Sequence, residues 1–130
     1  MPITGDVRLE PGTVGQPGSG YFSRFSHADE KAEPGYYAVS LADYGIRAEL
    51  TAGERIGVHR YKFPASRAAH VLVDLRTSMY AYPGKVLWSR LRLHADGTLT
   101  GFRETRGWAA GRQLYFAMRF STAPSGHALH

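Results

Sequence analysis

From Tyr36 to Thr51 the chain alternates with a period of two, and this constrains its fold more than any other feature. Tyr37, Val39 and Leu41 alternate with Tyr36, Ala38 and Ser40. Ile46, Ala48 and Leu50 alternate with Arg47, Glu49 and Thr51. The two runs are separated by Asp43-Tyr44-Gly45, a short glycine-containing turn, so they predict a β-hairpin with the aliphatic set inside and Arg47 and Glu49 facing water. The pattern recurs downstream. Arg55 to Phe63 predicts a strand that stops at Pro64, which cannot donate to a ladder. Residues 69–75 are apolar on both faces and predict a central strand covered on both sides. After a Tyr80–Gly84 turn, Val86–Leu93 sets Leu87, Leu91 and Leu93 against Trp88, Arg90 and Arg92. Ala95-Asp96-Gly97 predicts a second hairpin turn leading into Thr98–Arg106, and Arg112–Phe120 sets Leu114, Phe116, Met118 and Phe120 on one face. Helical periodicity is missing except for about one turn at Ala28–Ala32, ended by Pro34. Seven or eight short strands with regular turns predict an all-β, antiparallel β-sandwich.

The chain has 130 residues, which bounds it to one domain (1–130) with room for a real core. Residues 5–20 are rich in Gly and Pro and read as a loop, and residues 122–130 as a frayed tail. There is no cysteine, so neither a disulfide nor a thiolate metal site is available. The net charge of +5 comes largely from arginines spread singly along the strands. That spread suits a solvated surface, and neither a nucleic-acid nor a membrane partner is expected. The N-terminus lacks the basic and apolar regions of a signal peptide, so the chain as written is expected to stay in the cytoplasm.

Few residues offer chemistry. Ser26, His27, Asp29 and Glu30 bring a hydroxyl, an imidazole and two carboxylates within five positions, but neighbours on an extended chain point to opposite sides. Ser26 and Asp29 are expected to cap a short turn and Glu30 to be solvated. An inverting glycosidase needs two carboxyls about 6.5–9.5 Å apart across the scissile bond, and none of the acids sits in a recognisable acid/base motif. Asp74, on an apolar run, reads as a carboxylate paired with an Arg. The six histidines have no ligand spacing and no acidic loop suits calcium. Trp108, after Gly107, reads equally as a loop indole that stacks a sugar and as a tryptophan packed beneath a turn. Tyr80 and Tyr82 share that ambiguity.

Four groups of residues carry a resemblance. These are Phe25-Ser26-His27 through Glu30 to Pro34-Gly35-Tyr36-Tyr37; His59-Arg60-Tyr61 with Phe63-Pro64; Gly101-Phe102-Arg103 followed by Gly107-Trp108; and Gln113–Phe116. Over roughly Gly5 to Ser121 the chain resembles the N-terminal β domain of glycoside hydrolase family 92, the calcium-dependent exo-α-mannosidases. The resemblance implies part of a galactose-mutarotase-like β supersandwich that packs, in the family, on an (α/α)₆ barrel. It implies a secreted or periplasmic parent that removes terminal α-mannose with inversion from mannose-containing glycans. There a Glu acid, an Asp base and calcium all belong to the barrel, and no residue of this chain matches them. The family's opening Gly-Thr-Gly-Gly and Pro-Phe-Gly motifs, and its Gly-Phe-Ser-His-Thr segment, do not occur here. The expectation is therefore a fragment, inactive by itself, with exposed strand edges and an uncovered apolar face. It has no catalytic or metal-ligating residue, and its candidate substrate contacts are Trp108, His27 and Glu30. The alternative is a non-catalytic carbohydrate-binding sandwich module.

Overall fold

The computed structural model describes residues 1–66, 68–78, 82–109 and 111–130. Tyr80 lies outside the described residues. Among the described residues every regular element is a strand except one 3₁₀ turn, His27–Asp29, and all strand pairs are antiparallel. Among the described residues no helix is long and apolar enough to cross a membrane. The chain forms two compact units, Met1–Val73 and Asp74–His130.

In the first unit, β2 (Lys31–Glu33), β3 (Tyr36–Leu41), β4 (Ile46–Ala52) and β5 (Gly57–Lys62) form a four-stranded meander in that order. The expected hairpin is β3–β4. Leu41 faces Ile46, Val39 faces Ala48 and Tyr37 faces Leu50, so the aliphatic residues share one side. Gly45 takes φ 62°, the left-handed conformation that closes the turn and that residues with a Cβ rarely adopt. Beyond Gly45, Asp43 receives the backbone N–H of Arg24 (2.7 Å) and both Nε and Nη2 of its guanidinium (2.8 and 2.6 Å). This fork ties the turn to the segment before the 3₁₀ turn.

β1 (Pro2–Thr4) pairs with β6 (Ala69–Val71) and lies against β4. The core is Ile3, Tyr21, Ala38, Val39, Ile46 and Ala48, with Ile3 and Ile46 almost wholly enclosed. Ala38 is buried although it sits on the face expected to be wet. Its cross-strand neighbours there are Lys31 and Glu49. The 69–75 run corrects the expectation of a central strand. β6 is three residues long, is paired among the described residues only with β1, and has all three residues exposed. Apolar composition over a short run does not choose between a central strand and a short edge pair. Asp74 ends this run. Its Oδ1 accepts the backbone N–H groups of Arg76 (2.6 Å) and Thr77 (3.0 Å), so it caps a turn.

Residues 5–20 hold no strand and close on themselves. Tyr21 and Phe22 donate their N–H groups to the carbonyls of Glu10 and Pro11 (2.9 Å each), and Ser19 Oγ accepts from Thr13 N–H (2.7 Å).

In the second unit β7 (Val86–Leu93), β8 (Leu99–Thr105) and β9 (Arg112–Met118) form a three-stranded meander. Gly97 closes the expected β7–β8 hairpin, and Asp96 accepts from both the N–H and the hydroxyl of Thr98 (2.9 Å each). A bulge at Leu87 shifts the start of β7, so Trp88 faces Glu104. Leu91, Leu93, Leu99, Phe116 and Met118 share one side, yet only Leu99 is buried, and Leu114 is 67% exposed. Residues 121–130 have no strand and are exposed.

Candidate functional site

Two places hold the candidate substrate contacts, one in each unit. The first is built on the 3₁₀ turn. Ser26 sits in extended backbone (φ −119°, ψ 137°), and its Oγ accepts the N–H of Ala28, which caps the turn as expected. Residues three apart eclipse one another in a 3₁₀ turn, so His27 and Glu30 come onto one side. His27 Nδ1 lies 2.5 Å from Glu30 Oε2, and the Tyr37 hydroxyl donates to Glu30 Oε1 at 2.5 Å. The expectation of a solvated Glu30 is thus corrected. Its side chain is only 23% exposed, and both its oxygens are engaged, whereas the His27 side chain is 86% exposed.

The turn is held from outside as well. Arg47 Nη1 donates to the Asp29 carbonyl at 2.6 Å, and the Phe25 ring stands edge-on to the His27 ring at 5.3 Å. The Tyr37 hydroxyl and then His27 hold the Glu30 carboxyl below its ordinary pKa, while the bond to Glu30 raises that of Tyr37. An ionised Glu30 with a fixed orientation is a hydrogen-bond acceptor, and the imidazole beside it is open to solvent. This suits holding a ligand hydroxyl better than delivering a proton.

The same economy of carboxylates runs through the neighbouring sheet. Glu49 on β4 accepts from Arg60 Nε and Nη2 on β5 and from the Tyr36 hydroxyl on β3, each at 2.7 Å. These bonds, led by those from Arg60, hold its pKa at about 2 against an ordinary 4.5. A group whose folded pKa is depressed adds stability above its unfolded pKa and loses it as pH falls through the folded value. Glu49→Gln is therefore expected to lower the urea midpoint at pH 7. The gap between the two proteins should narrow below about pH 4.5 and close near pH 2. A gap that stays constant from pH 7 to pH 2 would count against an ionised Glu49 at the centre of this bridge.

Trp108 resolves the even reading. It sits between β8 and β9 with its side chain fully exposed, so it is a loop indole and not a packed one. Tyr82, 45% exposed, donates its hydroxyl to the Arg106 carbonyl at 3.0 Å. Trp88, on a strand face of β7, is 69% exposed. Its alternation with Arg90 and Arg92 was the available signal. Among the described residues no group of three or more His, Cys, Asp or Glu could hold a metal ion.

The comparisons with known proteins agree on a family. The model of the glycosyl hydrolase family 92 N-terminal domain matches residues 1–129. Among solved structures, the family 92 α-mannosidase BT3965 from Bacteroides thetaiotaomicron superposes with a TM-score of 0.89 at 43% identity, over 96% of this chain. The structure of BT3965 in complex with mannoimidazole superposes with a TM-score of 0.76 at 38% identity, again over 96% of this chain. In both cases the chain spans only 16% of the matched protein. No curated protein matches the chain. With the antiparallel all-β architecture, the matched strands and a family model that covers almost every residue, this chain belongs to glycosyl hydrolase family 92, within its N-terminal domain.

Proposed function

We propose that this chain is a structural and substrate-contacting piece of a family 92 exo-α-mannosidase. The complete protein would hydrolyse terminal α-mannosides, and this segment has no turnover alone. The observation that carries the reading is the state of the carboxylates. Four of the eleven acids, Glu30, Asp43, Glu49 and Asp96, are tied up by hydrogen bonds from Tyr37, Arg24, Arg60 and Thr98 respectively, which hold them below their ordinary pKa. A glycosidase general acid needs the opposite, a carboxyl kept protonated near neutrality. Nor do the described residues suit a calcium site, since no group of three or more His, Cys, Asp or Glu among them could hold a metal ion. The reading assigns proton transfer and calcium to parts of the longer protein outside this chain, the (α/α)₆ barrel of the family. His27 and Glu30 would contact the mannoside by hydrogen bonding.

The chain alone, with calcium and an α-mannoside, is expected to release no mannose. BT3965 with its matched segment exchanged for this chain is expected to retain turnover. Turnover by the chain alone, or an exchanged enzyme that folds yet stays inactive, would overturn the reading. The full exposure of Trp108 favours a second reading, a sugar-binding module without catalysis. Under that reading mannobiose shifts the fluorescence of the isolated chain at millimolar concentration, and Trp108→Phe abolishes the shift.

A further inference from the structure

The β7–β8–β9 sheet has two sides of different chemistry. One carries mostly apolar residues, Leu91, Leu93, Leu99, Leu114, Phe116 and Met118. The other carries three cross-strand rows: Trp88, Glu104 and Gln113; then Arg90, Phe102 and Tyr115; then Arg92, Thr100 and Ala117. Rows two residues apart lie about 7 Å from one another and strands about 4.8 Å, so the patch measures about 14 by 10 Å. Trp88 and Tyr115 are 69% and 68% exposed. The Phe102 and Tyr115 rings lie 5.5 Å apart and are inclined by only 33°, so they offer one nearly continuous aromatic surface.

Hydrogen bonds fix the polar groups among these rings. The Tyr115 hydroxyl donates to Gln113 Oε1 at 2.8 Å, and Gln113 Nε2 donates to Glu104 Oε2 at 3.0 Å. Arg90 and Arg92 are exposed, and their side chains make no hydrogen bond or ion pair among the described residues. At the hairpin end the patch continues into a shallow depression of about 440 Å³ lined by His94, Asp96, Thr100 and Arg119.

A buried layer does not look like this. Covering Trp88 and Tyr115 with apolar chain would also bury Arg90, Arg92 and Glu104, and desolvating unpaired charges is costly. A pyranose ring fits the mixture. Its C–H face stacks on an aromatic plane and its hydroxyl rim bonds to carboxylate and amide groups. Nucleic-acid bases also stack on aromatic rings. A densely charged backbone, however, would have to run past the acidic side chain of Glu104 in the first row.

We infer that this face is a platform for an extended glycan bearing sparse negative charge. Trp88 and Tyr115 stack sugar rings, Glu104 and Gln113 bond to hydroxyls, and Arg90 and Arg92 take an anionic substituent. The mannosidase reading enters only in the choice of an α-mannan as probe.

The test is affinity electrophoresis of the full chain in gels containing yeast α-mannan, phosphorylated or dephosphorylated. Retardation is expected in both gels and is stronger in the phosphorylated one. Trp88→Ala and Tyr115→Ala should each weaken retention about fivefold or more in both, while Trp88→Phe and Tyr115→Phe keep most of it. Arg90→Gln with Arg92→Gln should bring the phosphorylated gel down to the dephosphorylated level and remove its salt dependence. The same charge change at Arg8 and Arg55 should not. Migration unaffected by either mannan overturns the proposal. So does retention that survives Trp88→Ala and Tyr115→Ala, or single-stranded DNA binding tighter than mannan. Because catalysis is not read, a failure here leaves the mannosidase reading standing, and failure of the exchanged enzyme leaves this one standing.

Discussion

Ile46→Ala is expected to cost the first unit about 3 kcal/mol, a loss large enough to shift its urea transition by a clear margin. Ile46 is 1% exposed and opens β4, facing Leu41 across the hairpin. Ile3, wholly enclosed, comes from β1, which lies against β4, and these two isoleucines are the largest fully buried side chains among the described residues. In so small a core, where Ile3, Tyr21, Ala38, Val39 and Ala48 are the other buried hydrophobic residues described in this unit, little can collapse into the gap that three missing carbons leave. The cavity then adds to the lost transfer free energy instead of closing. Ile46→Val, which removes one carbon, should cost about 1 kcal/mol. The ratio of the two separates packing from strand propensity, because valine and isoleucine favour strands alike. If Ile46→Ala cost no more than Ile46→Val, the core would not be where the burial places it. Domains of this size are stable by only about 5–15 kcal/mol, so a loss of this size removes a large fraction of the margin.

The β3–β4 hairpin was legible because three local signals agree there: alternation on both strands, a tight turn between them, and a glycine where the turn needs positive φ. The β7–β8 hairpin at Gly97 was legible for the same reason. Long-range pairing was not. Nothing local in Ala69-His70-Val71 says that its partner is Pro2-Ile3-Thr4, and an apolar run looked central when it was a short, exposed pair. The Glu30 cluster was half legible. Ser26 as a cap can be read from the sequence, but the expectation that neighbours point apart assumed extended chain. The 3₁₀ turn reverses that assumption by eclipsing His27 and Glu30, and Tyr37 reaches Glu30 only through the β2–β3 register. Trp108 could not be decided from sequence because Gly-Trp after a strand suits both a packed and a projecting indole. The Trp88 platform was hidden differently. Its own strand pattern was visible, but its partnership with Phe102 and Tyr115 exists only once β7, β8 and β9 are in register.

That register makes Gly101 the second position of large effect. Gly101 lies near the middle of β8, between Leu91 and Phe116 on the flanking strands. A Cβ at this position would sit 2.6 Å from the Arg90 carbonyl oxygen and 2.6 Å from Phe116 Cζ. A glycine in a strand forfeits side-chain packing, and here the Phe116 ring lies over the space instead, an aromatic filling for a missing side chain. The ring could rotate away from a new methyl group; the Arg90 carbonyl belongs to the backbone of β7 and could move only with the strand. Gly101→Ala is therefore expected to cost about 2 kcal/mol and Gly101→Val more, as overpacking does in a sheet that cannot spread. Amide exchange should quicken along β7, β8 and β9 in both variants. Adding Phe116→Leu to Gly101→Ala relieves the ring contact alone, so it should recover only part of the loss. Full recovery would place the whole effect in the ring. A Gly101→Val protein with unchanged exchange along these strands would mean that β7 and β8 are not held as close as the register requires, and the rows of the aromatic face would fall with it.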